Sequence, residues 1–273
     1  MKKIIYIIIS FFLAGCSEFL EERSQDKYHP SSLEDLNELL AGSGYWDKSV
    51  AFQGIHVMDD DAREKNGQRF SSTIPDGLGF FKWEANPYYE DDDPIWKMMY
   101  KHIAVANAIL VNADQFKDDE LYNKIKGEAY FIRAVNYFEL VNLYALPYVK
   151  ATATTTLGIP LKLTNYVEDR YFSRSPIDSV YHVIVHDLQM AASLLKGVEQ
   201  PSVFRANATA ANALLSRVYL YMGEYEKAVQ ACDSVLEDSR YVLFNMNGQE
   251  PTASFTKLAT SEIIFSQGGY TTP

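Results

Sequence analysis

The sequence predicts a mainly α-helical fold of paired helices, with long aromatic-rich loops and little strand. Three observations carry that expectation. From Pro94 onward, apolar residues recur at three- and four-residue spacing in successive segments, the period that lines them along one helix face. Two of these segments are separated only by a tight turn at Gly223. Between 42 and 93, by contrast, Gly, Asp and Asn break any period while aromatics accumulate, among them Tyr45, Trp46, Phe80, Phe81, Trp83, Tyr88 and Tyr89. At 273 residues, with 47% hydrophobic and 22% charged, the chain has the balance of a globular protein with a real core.

The first element is an export signal. Lys2 and Lys3 precede an apolar run, Ile4 to Leu13, that as a helix would span about 15 Å, half of the roughly 30 Å of a bilayer core. A basic start, a short apolar run and small residues before a cut form a secretory signal. Its end, Leu13-Ala14-Gly15-Cys16, resembles the lipobox of bacterial lipoproteins. That resemblance implies cleavage before Cys16, a diacylglyceryl group on its thiol and acylation of its new amino group. Several acyl chains give stable attachment where one gives little. Residues 1–15 are therefore the signal and 16–30 a lipidated tether. Glu18, Glu21 and Glu22 read as a solvated stretch, and resemble the acid-rich segment behind the lipidated cysteine of surface-exposed Bacteroidota lipoproteins.

The helical part, 31–273, opens with a capping box in which Ser31 and Glu34 satisfy each other's backbone amides. After the aperiodic stretch, Pro94 starts a helix to about Phe116, with Ile95, Met98, Met99, Ile103 and Ala106 on one face. A second runs from about Glu120 to Tyr144 and stops before Pro147. ATATTTLGIPLKL reads as extended, and a third helix opens near Pro176. A fourth begins after Asn207 and a fifth at Tyr225. In the last pair Ala211, Leu214, Leu215, Val218 and Met222 face Ala228, Cys232, Val235 and Leu236, so Cys232 reads as a core residue. The connection MGEYEKA resembles a tetratricopeptide repeat, in which Gly223 permits the turn, Tyr225 packs back and Ala228 lets the helices approach.

Together these segments resemble the SusD/RagB family, the outer-membrane nutrient-binding lipoproteins of Bacteroidota. WKMMYKHIAVANAIL is similar to the family's Trp, Tyr, then Ile and Ala-Asn before an apolar pair. GEAYFIRAVNYFELVNLYALP resembles its most recognisable helix, through Glu128, Arg133, Ala134, Tyr137, Leu140, Tyr144 and Pro147, with Ala145 where a glycine is frequent. Arg174, Pro176, Tyr181, Ile184, Asp187 and Leu188 match the next helix, and ANALLSRVYLYMGEYEKAV the repeat hairpin. Family members are usually much longer. This chain stops at EIIFSQGGYTTP, where Glu262 to Phe265 reads as the strand leading into a second half, so a C-terminal truncation is expected.

The resemblance implies a binding protein that is no enzyme and needs no cofactor. Its partners would be a glycan or other nutrient, a TonB-dependent outer-membrane barrel, and the membrane through its lipid anchor. Sugar rings stack their C–H faces on aromatics and need polar neighbours. KWEANPYY supplies that mixture in Trp83, Asn86, Tyr88 and Tyr89, which either contact glycan or pack the loop onto the helices. The other reading of the whole chain is a helical-repeat adaptor that holds a protein without recognising glycan. Trp96 lies on an apolar stripe and reads as core.

Other chemistries find less. The formal net charge is -11, and -13 once the segment before Cys16 with its two lysines is removed, so a nucleic-acid partner is excluded for want of a basic stripe. His182 and His186 have the i,i+4 spacing of a shared metal but lack the intervening glutamate of a zinc protease, and read as surface residues. Asp59-Asp60-Asp61 and Asp91-Asp92-Asp93 lack the alternation and glycine of a calcium loop. Glu128 and Arg133 are expected in a buried polar network that orients the helices. No nucleophile, base and orienting group assemble, and no phosphate-cradling glycine loop is present.

Overall fold

Three of the helices start where the sequence offers their backbone a side-chain acceptor. In the computed structural model, which describes residues 30–45, 58, 77–85, 93–247, 250 and 260–267, Ser32, Asp93 and Asn207 are N-caps accepting from Asp35, Trp96 and Ala210. The helices are α1 (Leu33–Leu39), continued by a π-helical turn (Leu40–Gly44), α2 (Gly77–Phe81), α3 (Pro94–Asn112) with a 3-10 turn (Ala113–Phe116), α4 (Tyr122–Tyr144), α5 (Ile177–Leu194), α6 (Ala208–Met222) and α7 (Tyr225–Leu236). Among the described residues there is no strand, only one antiparallel bridge between Leu157 and Pro176. The chain is mainly α, as its periodicity predicts.

From α3 to α7 each helix packs on the next, within one compact unit, Ser32–Pro273. Helix α4 is the hub, since α3, α5, α1 and the π-helical turn all lean on it. Every residue from Phe131 to Phe138 is buried, so α4 is covered all round instead of along one stripe. Gly127 lets the end of α5 come close: a Cβ there would stand 2.7 Å from Leu195 Cγ. The α6–α7 turn needs Gly223, whose φ of 72° is left-handed, with Glu224 N–H donating to the Tyr219 carbonyl at 2.9 Å.

A helix buried on all sides must satisfy its polar groups internally. Arg133 donates through Nε and Nη2 to both Asp187 oxygens, at 2.7 and 2.8 Å, and through Nη1 to Asn107 Oδ1 at 2.9 Å. This joins α3, α4 and α5. Asn107 Nδ2 then donates to the Lys162 carbonyl at 2.7 Å, and Tyr137 exchanges hydrogen bonds with the same residue's backbone. Glu128 belongs to a second cluster. It accepts from Arg205 Nε and Nη2 at 2.6 and 2.9 Å and from the Tyr45 hydroxyl, while Arg205 also reaches Asn37 Oδ1 at 2.7 Å. Burial, then the Glu128 carboxylate, holds the Tyr45 phenol well above its ordinary range.

The structure corrects several expectations. Glu128 and Arg133 are both in buried networks but not in the same one, because five residues turn a helix by about 140°. The capping box is Ser32 with Asp35, one residue later than expected, which sends Leu33 and Leu36 fully inward. Cys232 is exposed, and Leu236 is 80% exposed. The row of α7 that meets α6 is Ala228 and Ala231, with Val235 half-buried, and Cys232 and Leu236 lie one position round the helix on a flank α6 does not reach. Tyr225, in the first turn of α7, is 62% exposed and does not pack back. The threonine-rich segment is turned from 150 to 156, its carbonyls taken by nearby amides such as Thr155 and Thr156 on Thr152. Glu262 to Phe265 is irregular and docks side chains instead of pairing: the Phe265 ring meets Phe131 edge-on at 5.0 Å.

Two predictions follow from burial. Asp187→Ala leaves Arg133 charged and unpaired, and is expected to cost about 3 to 5 kcal/mol in urea unfolding, with Arg133→Met in the same chain restoring much of it. On α4, desolvation raises the half-buried Glu139 carboxyl above its usual range, an effect the Arg217 charge only partly offsets. The folded state thus holds that proton more tightly than the unfolded chain. The associated stability is full below the ordinary carboxylate range and is lost as pH rises through the raised value. Glu139→Gln should therefore raise the thermal midpoint at neutral pH and not at about pH 4, as read by melts across that range.

Candidate functional site

The aromatic-rich stretch before α3 carries residues expected either to contact glycan or to pack the loop onto the helices, and one of them, Trp83, lies among the described residues. Helix α2 ends in a tight reversal: Glu84 N–H donates to the Gly79 carbonyl and Trp83 N–H to the Phe80 carbonyl, each at 3.0 Å. This is the paired closure in which the residue after the cap turns left-handed, a place glycine usually fills. Here it is Trp83, with φ of 56°, the one non-glycine residue of positive φ among the described residues. A side chain there costs roughly 1 to 2 kcal/mol. Phe80 is buried and anchors the turn, whereas Trp83 is 70% exposed, beside exposed Lys82 and Glu84. The turn spends backbone strain to present an indole to solvent.

The other expected ligand contacts, Asn86, Tyr88 and Tyr89, lie outside the described residues, as does Cys16. Of the acidic runs, Asp59-Asp60-Asp61, Asp91 and Asp92 also lie outside them. Asp93 is committed to structure, with one oxygen capping α3 and the other accepting from the Tyr144 hydroxyl at 2.7 Å. Trp96 packs as expected, half-buried with ring centroids 4.8 Å from Tyr100 and 5.0 Å from Tyr144. The two histidines do not converge on a point. His182 Nδ1 sits 2.8 Å from the Asp178 carbonyl one turn back, and His186 Nδ1 3.1 Å from Asp187 Oδ1. Among the described residues no group of three His, Cys, Asp or Glu side chains could hold a metal ion.

A groove of about 470 Å³ between α5, α6 and α7 was not foreseen. Its floor is Leu215, Met222 and Ala231, and its rim includes Gln189, Asn212 and Gln230. Tyr219 is buried there, with Gln189 Nε2 donating to its hydroxyl at 3.1 Å and Lys227 Nζ 5.7 Å from its ring centre. Each helix carries its share at helical spacing, but the angle between helices that makes a groove is a tertiary property.

The pattern of the family described as "Starch-binding associating with outer membrane", SusD-like, matches residues 18–220. The chain belongs to the SusD-like family. Two SusD-like proteins of Formosa agariphila are 28% and 25% identical to it, over 86% and 96% of this chain and 46% and 50% of theirs. A SusD superfamily protein of Bacteroides thetaiotaomicron, solved by crystallography, is 28% identical, covers 78% of this chain with 46% of its own, and superposes with a TM-score of 0.60. The chain spans about half the length of these relatives. The resemblance read from the helices is thus a family relationship, and the mainly helical fold is that of the SusD superfamily.

If Trp83 occupies its position for presentation and not for packing, glycine should be at least as good for folding. Trp83→Gly is expected to leave the thermal midpoint unchanged or raise it, by up to the roughly 1 to 2 kcal/mol of relieved strain. A lowered midpoint would mean that the indole packs the loop.

Proposed function

We propose that this SusD-like chain is a cell-surface lipoprotein, held in the outer membrane by acyl chains on Cys16, that binds a glycan or other nutrient and delivers it to a TonB-dependent outer-membrane transporter. The observation that carries the ligand-binding part is Trp83: an exposed indole in a strained turn, in a family described as starch-binding. An indole face matches the C–H face of a pyranose, and Lys82 and Glu84 beside it, with Asn86, Tyr88 and Tyr89 in the same stretch, are assigned the remaining contacts. The lipobox supports anchoring, because a diacylated and further acylated cysteine holds a protein stably without a spanning helix. The family's description names binding and no reaction, which favours capture over catalysis.

The second reading, a helical-repeat adaptor for a protein partner, is favoured by the groove between α5, α6 and α7, whose amide-bearing rim suits an extended backbone. Affinity electrophoresis over a panel of neutral polysaccharides separates the two. The glycan reading expects at least one to retard the chain, and Trp83→Ala to weaken that retardation about tenfold, or roughly 1.4 kcal/mol, with an unchanged thermal midpoint. Retardation by none, with binding to a partner barrel retained, would leave the adaptor reading standing.

A further inference from the structure

The segment between α4 and α5 holds a second set of exposed aromatics, in a loop that is fixed on every side. Tyr171 and Val167 are fully exposed and Tyr166 is 59% exposed. Such apolar surface in an unsupported loop would be a liability. This loop is supported. At its start Asn107 and Tyr137 hold the Lys162 backbone, and at its end Arg174 Nη2 donates to the Tyr144 carbonyl at 2.6 Å while Ser175 N–H donates to Ile159 at 3.0 Å. Between them Glu168 accepts from Lys162, from Thr164 Oγ1 at 2.8 Å and from Arg170 Nε at 2.5 Å. These donors, Lys162 first, pull the Glu168 carboxyl down to about 2, so the clasp persists at any ordinary pH.

The arrangement leaves one cation half used. Arg170 lies over Phe172, with its guanidinium carbon 4.5 Å from the ring centre, and its Nε is tied to Glu168. Its side chain is 63% exposed, and its two terminal nitrogens make no hydrogen bond among the described residues. Stacked and tethered, the guanidinium is a planar fork aimed at solvent, the geometry that takes a carboxylate in two parallel bonds. Lys162 Nζ, 4.9 Å from the Tyr166 ring centre and 5.1 Å from that of Phe172, adds charge behind it. From 162 to 174 the loop carries Lys162, Arg170 and Arg174 against Glu168 and Asp169, a local charge of +1 on a chain of -11. Asp169 is exposed and forms no ion pair with any of the three cations among the described residues.

We propose that this loop is a binding subsite for an acidic sugar, a uronate, whose carboxylate meets the Arg170 fork while its ring lies against Tyr171. The ligand class follows from the pairing of a carboxylate receptor with open aromatic faces. An acidic peptide would use the fork but has no ring to lay on the tyrosines. A neutral sugar would use the tyrosines and leave the fork unpaired. The assignment rests on the glycan-binding reading and adds a site that does not include Trp83.

Isothermal titration with tetragalacturonate and tetramannuronate tests it, with a glutamate oligopeptide and maltotetraose as controls. Binding of at least one uronate tetrasaccharide is expected. Arg170→Gln and Tyr171→Ala should each weaken it about tenfold or more, at an unchanged thermal midpoint. Equal binding of the glutamate peptide, or uronate binding indifferent to Tyr171→Ala, would overturn the sugar assignment. Failure of both uronates while a neutral glycan binds through Trp83 would overturn this subsite and leave the main reading intact; failure of every glycan would remove both.

Discussion

Arg133 imposes the constraint on which the rest of the described structure depends. A guanidinium in the middle of a helix buried on all sides must have its donors met, and only a specific arrangement of neighbours can meet them. Asp187 on α5 takes two bonds and Asn107 on α3 takes a third. Apolar packing alone would let these helices slide along one another, since methyl groups tolerate many registers. The fork does not, because displacement by a turn would leave a buried charge alone. Asn107 then carries the constraint outward, since the amide that receives Arg133 on one side holds the Lys162 backbone on the other.

This sequence of dependence explains where exposed aromatics can be carried. The Tyr166–Tyr171 loop hangs directly from the polar core through Asn107 and Tyr137, and so can hold apolar side chains in water without collapsing on them. Trp83 reaches the same end by another route, a hydrogen-bonded reversal at the end of α2 with Phe80 as its root. In both, a rigid support fixes the backbone and leaves the ring free, the usual division of labour between scaffold and binding loop. Glu128 and Arg205 do similar work at the α1 side, binding α4 to Tyr45, Asn37 and the segment that leads into α6.

Much of the helical framework was legible in the residues. Pro94, Asn207 and Gly223 mark helix boundaries through local chemistry that needs no partner, and all three stand where they were expected. The buried stripe of α3 was visible for the same reason, as Ile95, Met99, Ile103 and Ala106 share a face of any helix they enter. Errors arose where a second body decides. Cys232 has the spacing of a core residue, yet the contact row is set by how α7 lies on α6, and a rotation of one residue put it outside. Glu128 and Arg133 both looked buried and ionic, and both are, but helix rotation gave each a different partner. Of the candidate site, Trp83 was legible as an aromatic in a polar loop, whereas its strain and exposure were not.

The sequence by itself determined that this chain is built mainly of helices at readable boundaries, and its motifs were enough to suggest the family to which it belongs. Those properties rest on local periodicity, capping and short motifs, each readable within a few turns of chain. The tertiary structure alone decided which charges pair, that Trp83 is held outward, and that Arg170 and two tyrosines share one propped loop. These depend on distances between residues far apart along the chain. No periodicity records them, because helix rotation and loop anchoring are settled only when the buried charges find partners.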